Sequence, residues 1–231
     1  MNDGITLVAL KDDVVIIGSG TNTLFNAGNS NTFNGIKFEN SSIAINVFEK
    51  EIINVIKSSF SNNIANVAIN YYGSNSSLVK FCSFYDIRKY GVLIDNDSSD
   101  ITVDNNNFNN SILYGGYTTP QIGGHVYCLN GTRIIVLNNI LNNNGGQGVI
   151  LGCNSTTGKG TTDSMAINNS CKGNGQEGAT IYGGSDKVTS RNSIINNECT
   201  NNRFNQIEIW EADNCIVKGN TVSEPVAGTG K

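Results

Sequence analysis

A short phrase recurs along the chain and constrains the fold more than any other feature. It consists of an aliphatic residue, an asparagine three positions later, and an apolar residue two beyond that. It reads Val103-Asp104-Asn105-Asn106-Asn107-Phe108, then Val136-Leu137-Asn138-Asn139-Ile140-Leu141, then Ala166-Ile167-Asn168-Asn169-Ser170-Cys171. Further copies run from Ile194 to Cys199 and from Val217 to Val222, with degenerate ones starting at Phe33, Val55 and Val79. Start-to-start spacings are 22, 24, 24, 33, 30, 28 and 23 residues. A period in this range marks a solenoid. A second phrase follows: Gly91-Val92-Leu93-Ile94, His125-Val126-Tyr127-Cys128, Gly148-Val149-Ile150-Leu151, Gly178-Ala179-Thr180-Ile181 and Gln206-Ile207-Glu208-Ile209. It alternates with period two, so each copy is a short strand with one face buried.

Composition narrows the kind of solenoid. Of 231 residues, 38 are asparagine and 26 glycine, only two are proline (Pro120 and Pro225), and 15% are charged. That mixture is poor in helix formers, while recurring Ile and Val exclude a disordered chain. Asn and Gly clusters between the strands supply left-handed turn residues. The expected fold is all-β: one right-handed parallel β-helix of about eight coils over residues 1–231, with essentially no α-helix. Equivalent residues then stack in ladders about 4.8 Å apart. Asn106, Asn139, Asn169, Asn197 and Asn220 should form an internal amide ladder. Phe60, Phe84, Phe108, Leu141, Cys171, Cys199 and Val222 should line the interior. The six cysteines show no metal-like spacing and are expected reduced, as a cytoplasm would leave them.

The same numbers exclude several partners. A net charge of −4 without basic runs argues against nucleic acid, and no apolar stretch reaches the ~18 residues of a membrane span. The first residues, Met1-Asn2-Asp3-Gly4-Ile5, show no signal peptide.

With its "NN…NNG…GV.I" phrases, the chain resembles the pectate-lyase-like superfamily of right-handed parallel β-helices, which includes phage tailspikes, mannuronan C5-epimerases and carbohydrate-binding β-helix repeats. Residues 11–27, Lys-Asp-Asp-Val-Val-Ile-Ile-Gly-Ser-Gly-Thr-Asn-Thr-Leu-Phe-Asn-Ala, look like its early "D.V.I.G.G...T.." coil. The usual capping helix and "lpaG.Y.i" strand are absent, so the domain is expected to be part of a larger protein. The resemblance implies a polysaccharide partner, with cleavage by hydrolase or lyase chemistry as in a tailspike, and a homotrimer. The competing reading is a non-catalytic structural or adhesin segment of a virion or surface protein. Either way the expected location is a virion or cell surface, reached without a classical signal peptide after folding in a reducing cytoplasm.

Solenoids display function on an outer sheet face. Alternation puts Leu93, Tyr127, Ile150, Thr180 and Glu208 in one outward column, and Asp95, Leu129, Gly152, Tyr182 and Trp210 in the next. Tyr127, Tyr182 and Trp210 could stack on sugar rings, or form an aromatic ladder that stiffens the sheet. The insertion at 111–124 adds Tyr114 and Tyr117 and leads into His125, the only histidine, which could act as general acid or base or be an ordinary surface residue. Catalytic candidates are Asp95, Glu177, Glu208 and His125, with Glu211 nearby. Glu177 and Glu208 should lie about 11 Å apart at the backbone, within reach of the two-carboxylate chemistry of glycoside cleavage. Arg88, Lys89 and Arg203 could neutralise an acidic sugar, Arg203 being the candidate contact. Each of these charges could equally be solvated surface.

Three apparent motifs fail. Gly152 to Gly160 has the wrong spacing for a phosphate loop and lacks its Ser/Thr. Residues 95–100 suggest a calcium loop but lack its glycine and final glutamate, so no cofactor is expected, calcium being the one alternative. Where the epimerase signature "YG.DPHE" has its catalytic aspartate, Tyr90-Gly91-Val92 is followed by Leu93, which argues against epimerase chemistry.

Overall fold

The computed structural model describes residues 1–11, 14–62, 64–109, 124–184 and 188–223. Its strands are three to seven residues long in most cases and wind into a parallel β-helix with three faces; the described residues contain no helix. Sheet I runs from Thr6–Val8 to Ile216–Lys218, sheet II from Val15–Ile17 to Thr221–Val222, and sheet III from Thr23–Asn26 to Ile207–Trp210. The register reproduces the sequence period: Leu7, Phe33, Val55, Val79, Val103, Val136, Ala166, Ile194 and Val217 pair successively along sheet I. Nine stacked strands therefore enclose eight turns.

The corner between sheets I and II explains the asparagines. One residue with φ near +50 to +60° turns the chain, as at Asn105, Asn138, Asn168 and Asn196. Asparagine tolerates that conformation better than most side chains. The next asparagine then points inward. Asn106 Nδ2 donates to Asn139 Oδ1 at 3.0 Å, Asn139 to Asn169 at 3.0 Å, Asn169 to Asn197 at 2.9 Å and Asn197 to Asn220 at 3.1 Å. Each oxygen also accepts the backbone N–H of the asparagine before it. A second ladder, which the sequence analysis did not anticipate, joins Asn144, Asn174 and Asn202 through backbone N–H to Oδ1 bonds and ends on Gln206.

In the other half, rings fill the interior. Phe38, Phe60, Phe84 and Phe108 stack with centroid spacings of 5.0, 4.8 and 4.1 Å, and the column continues with Leu141, Cys171 and Cys199, all buried. All six cysteines are free thiols. The Cys171 thiol, hydrogen-bonded to Cys199 and desolvated, is held well above its ordinary pKa. Val222 departs from the expectation: it is 55% exposed, because Cys199 covers one side and no described coil covers the other.

Candidate functional site

Sheet III carries the outward columns, and a local kink sets their number. At the entry to each strand two consecutive residues face the interior. In five of the strands the first of them is small, Ala44, Ala68, Gly91, Gly148 or Gly178, because it abuts the core: a Cβ on Gly91 would lie 2.6 Å from the Phe108 ring, and His125 holds this place in the strand between Gly91 and Gly148. The kink turns the preceding position outward as well. A third column, unanticipated from alternation, therefore contains Ile43, Val67, Tyr90, Gly124, Gln147, Glu177 and Asn205.

This extra column brings the two glutamates together. Glu177 is 8% exposed and pairs across the ladder with Gln147 and Asn205, while Glu208 sits one coil on, beside Thr180. Burial raises the Glu177 pKa, and the neighbouring Glu208 charge raises it further. Glu208 is less buried, and its Oε1 accepts from Asn205 Nδ2 at 2.9 Å. A carboxyl with a raised pKa next to a more solvated one is the arrangement acid–base cleavage of a glycosidic bond uses. Around them, among the described residues, Gln147 Oε1, Gln176 Oε1 and Thr180 Oγ1 are buried without a hydrogen-bond partner.

The aromatic candidates separate. Tyr182 and Trp210 are register neighbours with centroids 5.3 Å apart and planes at 53°, and Trp210 is 55% exposed. Tyr127 lies in its expected column but is only 6% exposed: its ring rests 4.9 Å from Tyr90 in an outer apolar cluster with Val67, Ile150, Leu93 and Leu129. It is therefore no open platform. Leu93 belongs to the same cluster. Tyr114 and Tyr117 lie outside the described residues. A platform that the sequence analysis passed over is Phe48 with Tyr72, stacked at 5.3 Å and 7° in the column of Tyr182 and Trp210. Counting the register back from Trp210 would have found it.

Two catalytic candidates have other duties. His125 is not at the surface but fully buried; its Nε2–H donates to the Asn142 carbonyl at 2.9 Å and its ring packs on Phe108. Desolvation lowers its pKa to about 3, so it is neutral at ordinary pH. The glycines on either side of it in its column, Gly91 and Gly148, leave room for the ring. Asp95 accepts from Asn154 Nδ2 at 3.1 and 2.9 Å, tying down a hairpin in which Cys153–Asn154 pair with Lys159–Gly160. This Gly/Ser/Thr-rich turn is thus a tethered wall. With Tyr182, Gly183, Gly184 and Val188 the hairpin encloses a notch of about 110 Å³.

The remaining charges are peripheral. Arg203 lies in the turn before Ile207–Trp210, its guanidinium 5.4 Å from the Phe204 ring centroid; Lys89 sits 5.1 Å from that of Tyr90, and Arg88 is half-buried beside it. The acidic run at 95–100 does not converge: Asp97 pairs with Lys159 and Asp100 with Arg133. Among the described residues no His, Cys, Asp or Glu cluster has the geometry of a metal site, and no helix is long and apolar enough to cross a membrane.

Comparison with known proteins places this architecture. No curated protein sequence matches the chain. Among solved structures it is similar to a point variant of the periplasmic alginate epimerase AlgG, with TM-score 0.69 and 15% identity over 84% of this chain and 46% of that one. The chain thus spans less than half the length of that epimerase. It is similar to the A-module of the Azotobacter vinelandii mannuronan C-5 epimerase AlgE4, with TM-score 0.60 and 14% identity over 99% of this chain and 74% of that one. It is also similar to PfbA, a surface adhesin of Streptococcus pneumoniae, with TM-score 0.59 and 12% identity over 100% and 80%. At these identities the likeness is one of fold. The model of the right-handed β-helix region matches residues 9–162, two thirds of the sequence, and the chain belongs to that family.

Proposed function

We propose that this chain recognises a polysaccharide on the outer face of sheet III, and that Glu177 and Glu208 act on the bound chain as proton donor and acceptor. The observation that carries the reading is the Tyr182–Trp210 pair, with Trp210 exposed, on the same face as a buried carboxyl with a raised pKa. Aromatic faces take the CH faces of sugar rings, and the neighbouring carboxyls supply what bond cleavage needs. That two of the similar structures are polysaccharide epimerases and one a surface adhesin is consistent with this use of the fold. Hydrolysis or elimination fits better than epimerisation, since Leu93 occupies the position of the epimerase aspartate and is packed into an apolar cluster. A virion or cell surface, as for a tailspike, suits such a face, and a homotrimer belongs to the same reading; sedimentation velocity tests the trimer.

The experiment is a glycan array followed by reducing-end and unsaturated-product assays on whatever binds. Trp210→Ala should weaken binding about fivefold, since a stacked ring contributes ~1 kcal/mol or more. Glu208→Gln and Glu177→Gln should each stop turnover while sparing binding. Binding without turnover in the unaltered protein would leave the adhesin reading. That alternative draws on the occupation of His125 and Asp95 elsewhere, which leaves one carboxyl pair for catalysis.

A further inference from the structure

The outward face of sheet III has an unusual charge pattern. Its three columns run Ile43, Val67, Tyr90, Gly124, Gln147, Glu177 and Asn205; Asn46, Asn70, Leu93, Tyr127, Ile150, Thr180 and Glu208; and Phe48, Tyr72, Asp95, Leu129, Gly152, Tyr182 and Trp210. None of these positions holds lysine, arginine or histidine, and the charged ones are all acidic. The insertion cannot correct the balance, because residues 110–124 contain no charged side chain. The nearest cations stand off the columns: Lys89 and Arg203 lie in turns beside Tyr90 and Phe204, and Lys159 is paired with Asp97. A polyuronate, with a carboxylate on every ring, would meet three acidic side chains within the columns and cations only at their edge, Lys89 over the Tyr90 ring among them.

The uncharged end of the face offers the opposite. Phe48 is 51% exposed and stacks on Tyr72. The next position in its column, on the other side, is Gly28, against which the Met1–Asn2 backbone packs. Beside this pair an outer amide ladder runs along the second column: Asn70 Nδ2 donates to Asn46 Oδ1 at 2.8 Å and Asn46 Nδ2 to Asn26 Oδ1 at 3.0 Å. Neutral amides can both donate to and accept from sugar hydroxyls.

Resting on the reading of this face as the polysaccharide site, we propose that its ligand is an uncharged glycan running parallel to the coil axis, and that Phe48–Tyr72 is a second ring platform for it. Four coil steps separate Tyr72 from Tyr182 along one column, about 19 Å at strand spacing. Only a chain long enough to bridge both platforms engages them together, and the second contact is then intramolecular.

The test is titration calorimetry with short and long oligosaccharides of a neutral hexose polymer found on the array, against oligouronates of matched length, with and without calcium. Long neutral chains should bind about tenfold more tightly than short ones, with little dependence on salt. Phe48→Ala, at an exposed position, and separately Tyr72→Ala, should remove most of that length advantage, with circular dichroism unchanged. Preference for oligouronates, in either calcium condition, would overturn the proposal and leave the face reading intact. So would a length advantage that survives both substitutions while Trp210→Ala weakens binding. If no glycan responds to Trp210→Ala or to either platform substitution, the face reading itself fails and takes this inference with it.

Discussion

The two halves of the solenoid close the same coil by different means. From Phe38 to Phe108 the corner of sheet II is filled by four stacked rings, while the adjoining inward corner column holds Ile36, Ser58 and Cys82. From Asn106 onward that column becomes the amide ladder, and the ring column shrinks to Leu141, Cys171 and Cys199. Rings fill space through dispersion and burial, which depend on volume far more than on direction. Amides hold a turn by directed bonds to buried backbone groups, which nothing apolar can replace. The insertions also fall in the amide half, where the spacing rises to 33 and 30 residues. Coils held by directional bonds therefore carry the elaborated part of the molecule, including the tethered hairpin and the Glu177–Glu208 pair.

Substitutions on each side of the seam can break this contrast. Phe84→Ala should cost about 3–5 kcal/mol, since it opens a cavity in the stack, whereas Phe84→Leu should cost under about 1.5 kcal/mol. Asn139→Leu should cost about 3 kcal/mol despite its similar volume. It orphans the Asn106 N–H and the Val103 carbonyl, at ~1–3 kcal/mol for each buried group. Urea unfolding of the set decides it. Equal tolerance of leucine at both positions would show that the halves do not differ in kind.

His125 stands on the seam, packed on the last ring and bonded to the Asn142 carbonyl of the next coil. Its folded pKa of about 3 lies below the ordinary 6.5, so the unfolded chain binds the proton more readily between those values. Stability should accordingly fall as pH drops through that window, the loss beginning above the range in which the paired aspartates protonate. His125→Gln should flatten the loss, as read from urea midpoints at several pH values. Glu177 works in the opposite sense. Its pKa is raised, so the folded state holds the proton longer and stability declines as pH rises from the ordinary carboxylate range to the shifted value. Glu177→Gln should gain on the parent protein across that rise. A parallel pH profile for the two would show that Glu177 is not desolvated.

The smallest effect is expected at the edge of the amide half, where Arg133 makes two 2.6 Å hydrogen bonds to Asp100 and Arg191 binds Asp163 in the same way. These exposed pairs line up along the coils, yet solvent screens them. Arg133→Gln should shift the urea midpoint slightly, and less still in high salt. A large shift would mean that the ion pairs, and not the amides, hold this half together.

Much of the candidate site was legible once the period was known. Trp210 beside Tyr182, and Glu208 beside Thr180, follow from counting along the repeat. The third outward column did not, because it arises from the kink at the small residues Ala44, Ala68, Gly91, Gly148 and Gly178, and strict alternation places no bend there. The fate of Tyr127 was hidden for a related reason. Its column is outward, but Tyr90 and Ile150 from the neighbouring coils, and Leu129 from its own, close over it.

The sequence alone was enough for the coil count and the inner asparagine ladder. In a solenoid each residue stacks on its own equivalent, so a repeated letter is already a contact. Exposure, pKa and partnership had to await the folded structure. The burial of His125, the tether from Asn154 to Asp95 across 59 residues, and the desolvation of Glu177 all arise between non-equivalent positions. No period in the letters encodes those contacts; they exist only once the coils are stacked and the kink has turned its side chains.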